Sequence, residues 1–313
     1  RWRLRSGPSR RHDNSIGPRF DALPLRARIA AGGRLFSSPL SMRSAITVSL
    51  VPQSQGGPFV FWDGLADAFS RAAGLGFDAI EIFPPAASAL DPTGLRRLLD
   101  HHRLSVAAIG TGGGWVVRQL TLTHAGAEIR RQAREFVRDI IDLAGRFGAP
   151  AIIGSMQGRW GGGVTREQAL AWLGEALQDL GEHAVGCQVP LLFEPINRYE
   201  TNLFNRLGDT AAWLRTLGTR NVRILADLFH MNIEEADPAA ALREAGPLVG
   251  HVHFADSNRR AVGFGHTSMA PIMAALRDIG YARYLSAEIL PLPDSAAAAQ
   301  QTIEAFRQHL AQR

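Results

Sequence analysis

Glu194, Asp227, His253 and Glu288 each stand at the end of a short apolar run, at intervals of 33, 26 and 35 residues. Each interval is about the length of one strand and one helix. A carboxylate at the end of a buried strand is costly unless a cation or a donor meets it, so these side chains ask for partners. If the strands are parallel and close into a barrel, their C-terminal ends converge on one face and the four can hold one ion. Two glutamates, one aspartate and one histidine suit Mn²⁺, Co²⁺ or Mg²⁺ better than an all-sulfur or all-histidine zinc site would. Taken singly, each is weak: a salt bridge to arginine would satisfy Glu194 equally well.

Other reactive types stand beside these four. Glu200 follows Glu194 by six residues on a loop, where it can accept a hydrogen bond from a substrate hydroxyl. Asp227 and His230, three apart, face one side if the chain turns helical there. The alternative for His230 is a partly buried imidazole satisfied by backbone. His251 and His253 share a face of one strand, and His253, nearer its C-terminal end, is the better ligand, leaving His251 as packing or support. Arg259 lies past that strand, placed to grip a substrate oxygen or carboxylate. Glu234 and Glu235 read as a solvated helix start, and Glu81 stays undecided. Arg159 is a candidate for a carboxylate or phosphate tail. Gly110 to Gly114 read as a flexible active-site loop that opens no helix, and Trp62, Trp115 and Phe264 as pocket or core aromatics.

The elements that must position these residues are legible from Ser44 onward. Apolar runs at 45–50, 79–83, 105–109, 151–154, 191–194, 222–227, 250–255 and 284–289 read as strands. Amphipathic stretches lie between them; Ile129, Ala133, Phe136, Val137, Ile140, Ile141 and Ala144 form one helical stripe. Thr165 with Gln168 reads as a capping box, and Asp237-Pro238 opens a helix that Gly246 closes. Eight such units over residues 42–313 predict an α/β fold, a single (β/α)8 TIM barrel carrying the catalytic site. A doubly wound open sheet fits less well, because the chemistry follows strands five to eight in succession.

Composition bounds the function. The chain is 46% hydrophobic and 20% charged with a mean hydropathy of -0.05, values of a soluble globular protein with no membrane span. All 34 basic residues are arginine. Without lysine no Schiff base can form, so chemistry at a carbonyl must rely on a metal ion or hydrogen-bond donors. The single cysteine, Cys187, allows no internal disulfide and suits the cytoplasm. The net charge of +5 comes from residues 1–41, which hold nine Arg against Asp13 and Asp21 and read as a disordered arm or as translation from a misplaced start. The remainder is slightly acidic, which argues against a nucleic-acid backbone as partner.

The stretches NRYETN (197–202), FHMNIEE (229–235), HVHFADSNR (251–259) with GFGH (263–266), and SAEILPLP (286–293) resemble the xylose isomerase-like barrel superfamily. Within it they are most similar to ketose 3-epimerases of the tagatose, psicose and 5-keto-L-gluconate type. Asp227-Leu228-Phe229-His230 stands where many of that group have Asp-Thr-Phe-His. The resemblance implies that Glu194, Asp227, His253 and Glu288 bind the metal and that Glu200, His230 and Arg259 hold a small sugar or sugar acid near its carbonyl. It also implies a homodimer or homotetramer. The chemistry is then inversion at C3 through an enediolate, with Glu194 and Glu288 as acid and base. An aldose–ketose or hydroxypyruvate-type isomerase, or an inosose dehydratase, would use the same ligands. An apurinic endonuclease needs more ligands than can be placed, and a non-catalytic sugar-binding barrel would leave four buried ionisable groups without purpose.

Overall fold

Alternation along each strand decides which side chains enter the barrel. In the computed structural model, which describes residues 42–311, β1 (Arg43–Ser49) turns Ile46 and Val48 outward and Ala45 and Thr47 inward. β2 (Ala79–Phe83) repeats the pattern with Ile80 and Ile82 outside and Ala79 and Glu81 inside. In these two strands outward Ile pairs with the helices, whereas the inward positions are small or polar, so this side of the interior has room for a site. The arm at residues 1–41 lies outside the described residues.

The remaining strands are β3 (Ser105–Gly110), β4 (Ala151–Ile153), β5 (Leu191–Phe193), β6 (Val222–Asp227), β7 (Val249–His253) and β8 (Tyr284–Ala287). All pair in parallel in the order β1-β2-β3-β4-β5-β6-β7-β8, and β8 closes onto β1 with Arg43 opposite Tyr284. The predicted strands are therefore present and the barrel is closed; an open sheet is ruled out. In register, Asp227 lies opposite His253 and His253 opposite Ser286, so the ends of β6, β7 and β8 are level on one rim.

Ten helices are described: α1 (Leu65–Leu75), α2 (Pro92–His102), α3 (Gly113–Arg118), α4 (Ala127–Gly145), α5 (Arg166–Gly186), α6 (Leu207–Leu214), α7 (Leu228–Glu234), α8 (Pro238–Ala245), α9 (Met269–Asp278) and α10 (Ser295–Ala311). α4 buries the expected stripe, including Ala133, Phe136, Val137, Ile140 and Ile141. At the start of α5 the Thr165 hydroxyl accepts from Gln168 N–H (3.2 Å) and the Gln168 side chain accepts from Thr165 N–H (2.9 Å). Asp237 accepts from Ala239 and Ala240 N–H at the start of α8, and Gly246 ends it at φ +57°. None of the described helices is long and apolar enough to cross a membrane.

Two expectations fail. The glycine run after β3 does open a helix, α3, because its glycines serve close packing rather than freedom: a Cβ on Gly113 would sit 2.3 Å from the Pro84 carbonyl and one on Gly114 2.7 Å from Met156 Sδ. Glu234 and Glu235 are not solvated. Their side chains are only 5% and 4% exposed, tied to Arg198 (2.8 Å) and Arg206 (3.3 Å) on the loop after β5.

Candidate metal centre

Glu194 is the first residue past β5, Asp227 the last of β6, His253 the last of β7 and Glu288 the first past β8. One ligand atom from each lies within 4.8 Å of the others. His253 Nδ1 stands 3.5 Å from Glu194 Oε1, 3.4 Å from Asp227 Oδ2 and 3.4 Å from Glu288 Oε2. Local packing fixes the two glutamates. Gly154 at the end of β4 admits Glu194, since a Cβ there would fall 2.4 Å from Glu194 Oε2. Thr47 Oγ1 donates to the Ala287 carbonyl (2.9 Å), anchoring the chain just before Glu288.

The cluster fits a divalent cation on two grounds. Three carboxylates and one imidazole are a donor set for a hard to borderline ion. Glu194 Oε1 is buried and, among the described residues, has no hydrogen-bond partner, so the fold leaves a full lone pair pointing into the cluster.

Glu81, undecided in the sequence, proves to be the support of the centre. It lies buried inside the barrel, where Oε1 meets His253 Nε2 (3.0 Å) and Oε2 meets His251 Nε2 (2.7 Å). A carboxylate on the far nitrogen orients the ring so that Nδ1 faces the cluster. His251 therefore bonds Glu81 and packs edge-on against the His253 ring (5.7 Å between centroids), without reaching the ligand atoms of the cluster. The available signal was a lone charge between Ile80 and Ile82 in a buried strand.

Electrostatics follow from burial and neighbours. Burial pushes Glu194 up to about 7, against the opposing pull of His253. Burial also raises Glu288 despite the charges of His253 and Arg259. Asp227 goes the other way: burial would raise it, but His230, Arg259 and His253 hold it below the usual carboxylate range. For His253, burial is outweighed by Glu81, Glu288, Asp227 and Glu194, and its proton is held well above the usual imidazole range.

The three expected substrate contacts border the same cavity, of about 700 Å³. α7 does turn helical after Asp227 and carries His230 back to it, with Nε2 3.5 Å from Asp227 Oδ2 and 3.9 Å from Glu194 Oε1. Tyr199 N–H donates to Asn197 Oδ1 (3.0 Å), so the Asn197 amide turns its NH₂ to His230 Nδ1 (2.8 Å) and to Glu200 Oε1 (2.8 Å). Nδ1 of His230 is thus an acceptor, and its proton sits on Nε2, facing the cluster. Burial lowers His230 to about 4, keeping it neutral. Arg259, at φ +57°, lies over the Phe229 ring (4.7 Å) and hydrogen-bonds Glu288, with Nη2 3.4 Å from Asp227 Oδ2. In this arrangement it pairs with the acids of the cluster. Of the aromatics, Trp115 lines the cavity beside Phe59, Phe83 and Phe229, whereas Trp62 and Phe264 do not.

Comparison with known proteins identifies the family of the chain. Residues 69–309 match the family model of the xylose isomerase-like TIM barrel. The L-ribulose 3-epimerase of Mesorhizobium japonicum is 35% identical over 218 residues, covering 68% of this chain and 71% of that one. The D-psicose 3-epimerase of Agrobacterium fabrum is 29% identical over 221 residues, covering 67% and 74%. A solved L-ribulose 3-epimerase superposes with a TM-score of 0.72 at 26% identity, over 86% of this chain and 95% of that one.

Proposed function

The chain belongs to the xylose isomerase-like TIM barrel family, and from that membership and the centre's geometry we propose a metal-dependent sugar epimerase that inverts C3 of a ketose or keto-sugar acid. The observation that carries this reading is the order of the ligands around the rim. Glu194 and Glu288 come from β5 and β8, at the two ends of an arc whose middle is Asp227 and His253. Inversion needs a base on one face of the reacting carbon and an acid on the other, and these two carboxylates can flank it.

Glu194, Asp227, His253 and Glu288 would hold a divalent ion, with Mn²⁺ our choice, and it would supply charge against the oxyanion that develops when the C–H beside a carbonyl is broken. One glutamate takes the C3 proton, and the other returns a proton to the opposite face, so the count of protons on the pair is unchanged. Neutral His230 donates from Nε2 to a substrate oxygen. Glu200, partly exposed at the cavity wall, accepts from a hydroxyl, and Arg259 sets Glu288 and reaches an oxygen near the carbonyl.

The test is proton NMR of the full chain with Mn²⁺ in D₂O against ketohexoses, keto-sugar acids and hydroxypyruvate. Deuterium at C3 with an inverted product is expected. Migration of the carbonyl between C1 and C2 would overturn the epimerase reading in favour of an isomerase.

A further inference from the structure

Beside the metal cavity lies a second hollow of about 510 Å³, which the mechanism above does not use. The two adjoin across Trp115, Ser155 and Glu200, which line both. The first is already large enough for the reacting sugar. A six-carbon sugar fills at most roughly 360 Å³ even if each heavy atom took the liquid volume of a water molecule. The second hollow therefore offers space for another ring of similar size.

Its lining has the chemistry of a carbohydrate site. Trp115 and Tyr199 present exposed aromatic faces, at 39% and 77% exposure, of the kind on which the C–H face of a sugar packs. The Trp115 indole N–H, the Tyr199 hydroxyl and the Arg159 guanidinium have no hydrogen-bond partner among the described residues. Space and shape are prepared by backbone: Gly161 and Gly162, at φ +116° and +58°, have nothing within 4 Å of where a Cβ would stand. The rim is held in place, because Trp160 N–H and Nε1–H donate to Asn202 Oδ1 (3.0 Å) and O (2.9 Å), while Asn202 Nδ2 donates back to Trp160 O (2.9 Å). Thr201 Oγ1 adds a bond to Gly158 O (2.7 Å). A site held this way loses little freedom on binding.

We propose that this hollow is a second sugar subsite, and that the preferred substrate is a ketose bearing a further sugar ring, a glycosylated ketose rather than a free one. The inference rests on the reading of the first cavity as a ketose site. It assigns Arg159 and Tyr199 to the outer ring and leaves the reacting ketose to the metal centre.

The test compares kcat/KM for fructose with that for glucosyl-fructoses linked through O1, O4 and O6 (trehalulose, maltulose and isomaltulose), using the Mn²⁺-loaded full chain. At least one of the three is expected to exceed fructose by about tenfold or more. Arg159→Ala and Tyr199→Ala should each remove most of that advantage while leaving fructose within about twofold. Fructose equal to or better than all three, or variants that reduce both substrate types alike, would overturn the proposal. If none of the four reacts, fructose is not the ketose that the first cavity turns over, and calorimetric binding of the same sugars decides the subsite. Tighter binding of a glucosyl-fructose than of fructose, lost in Arg159→Ala, supports it; equal or absent binding overturns it.

Discussion

Glu81 hydrogen-bonds only His253 among the four candidate ligands, which makes its contribution separable from theirs. Its carboxylate, held below the usual range because His253 and His251 outweigh the burial that would raise it, remains charged at neutral pH and holds the His253 ring by Nε2. Glu81→Gln keeps the size but loses the charge, and should weaken Mn²⁺ binding by about 10- to 100-fold, as measured by chelator competition. Turnover at saturating Mn²⁺ should largely recover. Glu288→Gln behaves differently: it removes one of the two acid–base groups, so added metal cannot rescue it, and a loss of about 10²- to 10⁴-fold in kcat is expected. Equal rescue of both variants by metal would remove the distinction between ligand and support.

At the scale of elements, the loop after β7 carries Arg259 and is organised by one buried side chain. Asp256 accepts from four backbone N–H groups, those of Ser257 (2.7 Å), Gly263 (2.8 Å), Gly265 (3.0 Å) and Thr267 (2.9 Å). Burial would raise its pKa, but these bonds lower it, and the turn they hold closes with Arg259 N–H on the Asp256 carbonyl (2.9 Å). Asp256→Ala should cost roughly 2–4 kcal/mol, seen as a fall in Tm on the order of 10 °C, and kcat/KM should fall as Arg259 loses its place. An unchanged Tm would mean that the loop is held elsewhere. This level also marks how far the sequence reaches. Strand positions were legible because β-branched and apolar runs alternate with amphipathic stretches, and the clustering of Glu194, Asp227, His253 and Glu288 because each ends such a run. Contacts between loops were not, since nothing in local spacing pairs Glu234 with Arg198 or Asp256 with Gly265. The role of the glycines in α3 was hidden for the same reason: Gly113 is fixed by Pro84, a neighbour about thirty residues away in the chain.

For the whole molecule, the centre concentrates three acids, and a cation bound among them would couple stability to pH and metal. The folded pKa of Glu194, about 7, lies above its ordinary value of 4.5, so its contribution is fully present below about pH 4.5 and is lost as pH rises through 7. His253, raised well above 6.5 by the carboxylates around it, contributes in the same direction over a higher range. Asp227 and Glu81 are shifted downward, and their windows lie at or below about pH 4.5, outside this range. A metal ion competes with the protons on Glu194 and His253, and each proton released makes its binding tighter at higher pH. At a concentration about 100 times its Kd it stabilises by about 2.7 kcal/mol. Mn²⁺ should therefore raise Tm relative to chelator-treated protein by several degrees at pH 8 and by clearly less at pH 5.5, measured by differential scanning calorimetry on the same sample. A gain independent of pH would show that the ion binds without displacing those protons, and that its ligands are not Glu194 and His253.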